Sequence, residues 1–408
     1  MGEERKVGLH IGSGNLSLAF FRTIGQFASS EVIRLNDRGS SHTQMPAVIH
    51  FTEQLEEAEM GRSAKLKSVK MAENVFSPIK LLAEGLEQVK AGEQGVSVEN
   101  LITKLITEVR DQAGFFGDFS QCSVAYPDYL NSEQLINLKN AIRAEITELE
   151  DRHFVPVSFA TLFDMQLHQA RYNLGYHKFD FSQAKKVMVI DIGENFTTSS
   201  IFEVSEVAQE LEARYLAKPC SSQFGGRDFD ARFAEYLIDQ AILKGTLLEQ
   251  QVTTELRRQI HTEAEKFKRD LVEKVDAQVM STHLPPGKMK DITASVRIYD
   301  PSGKKILEQD INKREYETAV FSCIAAIHEG TPCVFQSVTG ALNLADLRPG
   351  DIDEVVLVGG MSRLHLITQV LKHTFGNTPR EFANPELVAV RGASVYHDMV
   401  SSPLEMRL

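Results

Sequence analysis

Two short stretches of this chain follow the same plan, and together they constrain its fold more than any other feature. The first reads LHIGSGN at residues 9–15, and the second reads IDIGEN at residues 190–195. Around the first, every second residue is apolar: Val7, Leu9, Ile11, Leu16, Leu18 and Phe20. This period predicts a β-hairpin with a glycine turn. In the second, a buried-strand run at 187–190 precedes the turn and TTSSIFEV restarts a strand, so the sequence predicts an approximate internal duplication.

A third glycine turn follows the apolar run at residues 355–358. Gly359 and Gly360 come directly after this run, and a helix with Leu364, Ile367 and Leu371 on one face is predicted beyond them. A glycine turn lets backbone N–H groups converge on an anion without side-chain obstruction. A helix start adds further N–H groups, so three such turns are typical of a nucleotide site.

Helices and strands alternate over the rest of the chain. The clearest helix has an apolar stripe at residues 98–109 and Ser97 as its cap, and another is signalled at Asn131. A long charged helix covers TTELRRQIHTEAEKFKRDL, and residues 300–303 form the predicted turn of a further hairpin. This alternation predicts an α/β architecture.

Composition narrows the class of protein. At 408 residues the chain is too long for one ordinary core, so we expect two domains or lobes. Its formal net charge of -12 disfavours direct nucleic-acid reading and anionic membranes. No apolar window approaches ~20 residues and no secretory signal is evident, so we expect a cytoplasmic protein. The four cysteines lie far apart and are expected to be buried thiols: Cys122, Cys220, Cys323 and Cys333.

Taken in order, several segments resemble the nucleotide-binding domain of the heat-shock protein 70 (DnaK-type) chaperones, a member of the actin-like ATPase group. The similar segments are NDRGSSHTQMPAVIHFTE, VAYPDYLNSEQ, FGGRDFDARFAEYL, EAEKFKRDL, INKREYE, VVLVGGMSR and NPELVAVRGASVYH. Their order and spacing cover nearly the whole chain. The resemblance implies an α/β, actin-like ATPase fold with two lobes around a deep nucleotide cleft.

The resemblance also implies domain boundaries. We expect lobe I at residues 1–183 plus 381–400, with a shortened outer subdomain at about 40–95. Lobe II is expected at 184–380, with its outer subdomain at about 228–315. The sequence ends at MVSSPLEMRL, so we expect neither the substrate-binding domain nor the lid of the family.

Carried over motif by motif, the family's nucleotide contacts fall on three turns and one helix. The expected positions are Gly12, Ser13, Gly14, Gly193, Gly225, Gly226, Glu265, Lys268, Arg269, Gly359, Gly360, Ser362 and Arg363. Arg269 would stack on the adenine. Gly225 and Gly226 could instead form only a loop before a helix capped by Asp228. ATP or ADP is the implied cofactor.

The hydrolytic side departs from the family pattern. Both hairpin strands of the family end in an aspartate near the metal ion, whereas here His10 stands in the first place and only Asp191 remains. An imidazole does not replace a hard anionic oxygen ligand, so we expect Mg²⁺ to bind weakly if at all and assign no metal site. His10 could equally be a core histidine hydrogen-bonded to the backbone.

Further departures affect the catalytic positions. The family's glycine-rich second hairpin reads here as Gly193-Glu194-Asn195-Phe196, which places an acid beside the phosphate position unless Glu194 is a solvated turn residue. The family's glutamate falls on Val157. Its lysine aligns with Ile79, and Lys80 one residue on is a stand-in only.

These departures predict a pseudo-ATPase that serves as a protein-docking scaffold. The resemblance extends to ribosome-associated members that pair with a J-domain protein and assist nascent chains. One alternative is a nucleotide-exchange factor of the large heat-shock class, whose partner would be another heat-shock-70 chaperone. A second is a slow Mg-ATPase, which would need His10 and Lys80 to take unusual roles. We expect protein partners, no direct nucleic-acid reading and no membrane.

Overall fold

The computed structural model describes residues 6–24, 27–37, 40–52, 58–68, 71–92, 94–114, 119, 121–171, 180–207, 210–283, 286–300, 303–325 and 331–399. We call residues 6–171 the first half and residues 180–387 the second half. The strands of the first half are β1 (Lys6–Ile11), β2 (Asn15–Ile24), β3 (Phe27–Val32), β4 (Leu35–Asp37), β5 (Ser40–His42), β6 (Met45–Pro46), β7 (Ile49–Phe51), β8 (Ala58–Met60), β9 (Val75–Phe76), β10 (Gln88–Ala91), β11 (Gln94–Ser97), β12 (Cys122–Tyr126) and β13 (Phe154–Pro156). Its helices are α1 (Gly61–Lys67), α2 (Pro78–Ala83), α3 (Val98–Ala113), α4 (Ser132–Arg143) and α5 (Val157–Arg171).

The second half has fewer strands and longer helices. Its strands are β14 (Lys185–Ile192), β15 (Thr197–Val207), β16 (Glu210–Ser222), β17 (Thr293–Tyr299), β18 (Lys305–Asn312) and β19 (Glu354–Val358). Its helices are α6 (Gly226–Leu243), α7 (Thr254–Thr282), α8 (Lys313–Val320), α9 (Val334–Leu344) and α10 (His365–Phe375), and α11 (Val388–Met399) follows it. The α/β prediction is confirmed.

The two main sheets are built on the same plan. In the first, β1 pairs antiparallel with β2 and parallel with β12, and β2 continues to β3. In the second, β14 pairs antiparallel with β15 and parallel with β19, and β15 continues to β16. We call β1-turn-β2 the first hairpin and β14-turn-β15 the second hairpin.

The turns of the two hairpins close with the same hydrogen bond. Gly12 N donates to Asn15 O over 2.9 Å, and Gly193 N donates to Phe196 O over 2.9 Å. The internal duplication predicted from the sequence is therefore present in both strand pairing and turn geometry.

Helix α11 lies against the first sheet although it follows the second half in the chain. It packs on β1 and α5, and glycines permit this close approach: a Cβ atom built on Gly392 would lie 2.5 Å from the carbonyl carbon of Ala160 and closer still to its oxygen. The Arg391 guanidinium makes two hydrogen bonds, of 3.0 and 2.8 Å, to the fully buried Asp164 carboxylate of α5. The lobe boundaries predicted from the sequence stay a prediction.

The local signals in the sequence mark the helix ends correctly. Ser97 Oγ accepts from Asn100 N at the start of α3, and Asn131 forms a capping box with Gln134 at the start of α4. One expectation needs correction. The Gly-Gly turn does not lead directly into a helix, because a 3₁₀ turn over Gly360–Arg363 precedes α10.

Two further expectations concern the rest of the fold. The described cysteines are free thiols, and Cys122, Cys323 and Cys333 are buried. Of the turn predicted at residues 300–303, Pro301 and Ser302 lie outside the described residues. Within the described ranges, no helix is both long and apolar enough to cross a bilayer.

Candidate functional site

The second hairpin lies at the centre of the three glycine turns. Gly226 N donates to Gly193 O over 2.9 Å, which joins this hairpin to the start of α6. Gly359 has a φ of 82°, and a Cβ atom there would lie 2.7 Å from the carbonyl carbon of Ile192. Only glycine therefore fits at position 359, because both the backbone conformation and the space exclude a side chain.

The two hairpins touch through the side chains of Glu194 and Asn195, and the residue that follows contacts the loop after β12. Asn195 Nδ2 donates to Ser13 Oγ over 3.2 Å, and both side chains are buried. The Glu194 side chain lies against Gly14, where a Cβ atom would be 2.7 Å from Glu194 Cβ. That residue, Phe196, stacks on Tyr129 with ring centroids 4.0 Å apart. The space between the hairpins is thus taken up by Glu194 and Asn195 of the chain itself.

The Glu194 carboxylate also belongs to an ion-pair cluster that joins the two halves. Lys65 Nζ of α1 lies 3.9 Å from Glu194 Oε1 and 2.8 Å from Glu265 Oε1 of α7. Glu265 contacts Arg269 Nη2 as well, over 2.6 Å. Although burial raises it, the nearby Lys65 and Arg269 cations hold the pKa of Glu265 below its usual value.

His10 lies on β1 beside the turn of the first hairpin. Its Nδ1 atom is buried and has no hydrogen-bond partner within the part of the chain that the structure describes. Burial lowers the pKa of His10 to about 4, so the ring is neutral near pH 7. The alternative of a core histidine bonded to the backbone does not hold for this nitrogen atom.

Two carboxyl groups lie close together near the end of β12 and β14. Burial, followed by the negative charge of Asp128, raises the pKa of Asp191 to about 7. Burial likewise raises the pKa of Asp128 to about 6, although Asp128 accepts hydrogen bonds from Ser158 N and Oγ over 2.9 and 2.5 Å. Ser158 Oγ in turn lies 3.2 Å from Tyr215 Oη. The Asp191 carboxyl is thus about half protonated at pH 7, whereas an ordinary aspartate is fully ionised there.

The two remaining positions expected on the hydrolytic side, Val157 and Lys80, have structural surroundings rather than catalytic ones. Val157 is buried at the first turn of α5 and offers no acid or base. Lys80 Nζ lies 3.6 Å from Glu84 Oε1, and that carboxylate also accepts a 3.0 Å hydrogen bond from Gln223. Lys80 therefore sits in a polar contact between α2 and the end of β16.

The positions expected to hold adenosine make contacts within the protein. Lys268 Nζ binds Asp230 and the Gly226 carbonyl, over 2.8 and 3.0 Å, and so fixes the start of α6. Gly225 N donates to Asp228 Oδ2 over 2.8 Å, in agreement with the cap expected there. Arg269 remains largely exposed, with 60% of its side-chain surface accessible.

The 3₁₀ turn after β19 is tied to the segment before α11. Ser362 Oγ donates to Gly359 O over 2.7 Å. The Arg363 guanidinium contacts Glu386 and Asp276, over 3.0 and 3.2 Å between the nearest atoms. These two residues hold the turn in place, and whether they also contact a nucleotide stays a prediction.

Sequence reasoning missed several residues of this site. No motif marks Lys65, and the resemblance assigns no role to Asp230 within FGGRDFDARFAEYL. Asp128 stood within VAYPDYL, where an acid directly after the proline and before an aromatic residue was a usable signal. Among the described residues, no three His, Cys, Asp or Glu side chains converge in a way that could hold a metal ion.

Comparison with known proteins identifies a family model and relatives that are similar to this chain. A family model described as "Hsp70 protein" matches residues 83–407. The chaperone protein DnaK of Thermotoga maritima and that of Thermotoga petrophila are each 24% identical over 400 residues, which cover 97% of this chain and 60% of the relative. The DnaK of Stenotrophomonas maltophilia is 26% identical over 418 residues, covering 95% of this chain and 58% of the relative.

The chain thus spans about 60% of the length of the curated relatives it matches. The match covers more than half of the chain, and it includes both the second hairpin and the turn at Gly359. The chain therefore belongs to the Hsp70 family, with the actin-like ATPase fold of the family's nucleotide-binding domain.

Proposed function

We propose that this chain is a pseudo-ATPase of the Hsp70 family, a folded docking component that binds ATP or ADP weakly or not at all and hydrolyses little or none. One observation carries the proposal: Glu194 and Asn195 occupy the space between the two hairpins, Glu194 against Gly14 and Asn195 bound to Ser13, while Phe196 stacks on Tyr129 after β12. By the family resemblance, this space would hold the phosphates of the nucleotide. The residues present do not fit a nucleotide in that position.

The charge of the site supports the same proposal. A bound Mg²⁺ needs hard anionic oxygen ligands, and phosphate needs cations or N–H groups to compensate its charge. Here His10 is neutral, Asp191 is only about half ionised at pH 7, and Glu194 adds a negative charge. Metal-assisted phosphoryl transfer would therefore lack both its metal ligands and its charge compensation.

The docking role rests on the family rather than on a surface of this chain. We propose a J-domain protein and the ribosome as partners, and the cytoplasm as the compartment, by the resemblance to family members that have lost hydrolytic residues. Affinity capture tests this part. Recovery of a J-domain protein with ribosomes supports it, whereas recovery of an ordinary heat-shock-70 chaperone favours an exchange factor, and recovery of neither contradicts both.

Hydrolysis is tested directly by steady-state phosphate release from Mg-ATP, with a DnaK as positive control. The protein should show no release above the enzyme-free background, and Lys80→Ala should not change that result. Phosphate release by the wild-type chain that is lost in Lys80→Ala would contradict the proposal and support the slow-ATPase alternative instead.

A further inference from the structure

The Glu194 side chain makes contacts that a solvated turn residue would not need. Only 34% of its side-chain surface is exposed, and it lies directly against Gly14 of the opposite hairpin. Its backbone is also fixed, because Arg227 N donates to Glu194 O over 2.9 Å at the start of α6. The carboxylate is therefore held at one place between the hairpins.

Lys65 connects this carboxylate to α7. It is the cation between two acids, with Glu194 of the second hairpin at 3.9 Å and Glu265 of α7 at 2.8 Å. Lys65 itself belongs to α1 in the first half. One ammonium group thus joins α1, α7 and the turn of the second hairpin. The anion that it meets at this turn is the Glu194 carboxylate and not part of a ligand.

We propose that the Glu194 carboxylate is a built-in substitute for a ligand phosphate, which fills the anion position between the hairpins and, with Lys65, holds α1 and α7 together without a nucleotide. This inference rests on the proposed function and names the residue responsible for it. The exclusion has a steric part, since Glu194 lies against Gly14, and an electrostatic part, since its charge repels phosphate.

The structure also implies what removal of this side chain would create. Without it, Gly14, Lys65 and the start of α6 would border a space that accepts an anion. Repulsion between a carboxylate and a phosphate charge 4 Å apart would lower the affinity on the order of 10³-fold at an effective dielectric near 20. Because a third of the Glu194 side chain is exposed, solvent screening weakens this repulsion. We therefore expect removal of the side chain to raise the affinity for a phosphate-bearing ligand by about 10- to 100-fold.

The experiment compares ADP and adenosine binding to the full chain by isothermal titration calorimetry, with and without Mg²⁺. Glu194→Gly should bind ADP at least about 10-fold more tightly than the wild type, while adenosine binding stays unchanged. Glu194→Gln, which keeps the size of the side chain and removes its charge, should show part of this increase in ADP affinity. Equal ADP affinity in the wild type and in Glu194→Gly would overturn the proposal.

Glu203→Gln is the matched control, because it removes a carboxylate of the same side-chain exposure, 34%, that lies on β15 of the second hairpin and pairs with Arg214 instead of Lys65. It should gain no ADP affinity, and a gain equal to that of Glu194→Gly would overturn the proposal. Hydrogen exchange provides a second readout that needs no ligand binding. The amides of α1 and α7 should exchange faster in Glu194→Gly than in the wild type, and ADP should restore their protection only in that variant. Unchanged exchange in both helices would contradict the clamp.

The two proposals fail in different ways. Phosphate release by the wild-type chain would contradict the pseudo-ATPase proposal. A Glu194→Gly variant that gains no ADP affinity, in a chain that also does not hydrolyse ATP, would overturn the role of Glu194 alone.

Discussion

Substitution of Gly392 by alanine tests how α11 is held on the first half of the molecule. The new Cβ atom would lie 2.5 Å from the carbonyl carbon of Ala160, well inside the closest distance at which real Cβ atoms occur. Both neighbours are helix backbone, so α5 and α11 would have to separate by about an ångström, and overpacking of this kind costs typically 1–3 kcal/mol. The higher helix propensity of alanine than of glycine offsets about 1 kcal/mol of this cost.

The separation would also strain the Arg391–Asp164 pair one residue away, so we expect a net loss towards the upper end of what remains, about 1–2 kcal/mol. Unfolding entropy scales with length, which makes this a fall of roughly 1–2 °C in the thermal midpoint by circular dichroism. Gly350→Ala is the control, because no atom lies within 4 Å of the new Cβ. Its midpoint should not move. A Gly392→Ala midpoint equal to that of the wild type would refute the packing argument.

Three other predictions concern charge. Arg391→Ala removes both hydrogen bonds from the arginine to the buried Asp164 carboxylate and should cost about 3–5 kcal/mol in denaturant unfolding. Arg214→Ala breaks a surface pair in which 65% of the arginine side chain is exposed and should cost far less, so equal losses would contradict this. Burial raises the pKa of Asp191 to about 7, so the folded state binds the extra proton and loses stability as pH rises from about 4 to 7. Asp191→Asn should therefore raise the free energy of unfolding at pH 8 by on the order of 1–2 kcal/mol, and the thermal midpoint with it, but not at pH 4. Burial lowers the pKa of His10 to about 4, so stability is lost as pH falls from 6.5 towards 4, and His10→Asn should reduce that loss in the same thermal assay; an unchanged acid limb would refute it.

The local parts of this fold could be predicted from the sequence because their causes are local. Alternating apolar residues and a glycine turn specify each hairpin, and the caps Ser97 and Asn131 mark where α3 and α4 begin. The recurrence of one pattern was enough to predict the duplication. The misplaced start of α10 shows the limit, since the sequence does not distinguish a 3₁₀ turn from a first helical turn.

The contacts of the site could be predicted only in part. The sequence indicated that Glu194 stands at the phosphate position, but it left open whether the side chain points into the space or into solvent. That choice depends on Gly14 and Lys65, which lie far away along the chain and meet Glu194 only in the folded state. The pairing of Asp128 with Ser158 is equally non-local. Such contacts leave no periodic signal in the sequence.

The central claim is that the second hairpin's own side chains occupy the place of a nucleotide. The most direct measurement is the thermal midpoint of the wild-type protein with and without 1 mM ATP or ADP, each in the presence and absence of Mg²⁺. A ligand at about 100 times its dissociation constant stabilises a protein by about 2.7 kcal/mol, which for a chain of this length is roughly 3 °C. If these side chains occupy that place, the midpoint shifts by less than about 1 °C for every combination. A saturable rise of about 3 °C would contradict this claim, because the space between the hairpins would then accept a nucleotide despite Glu194 and Asn195.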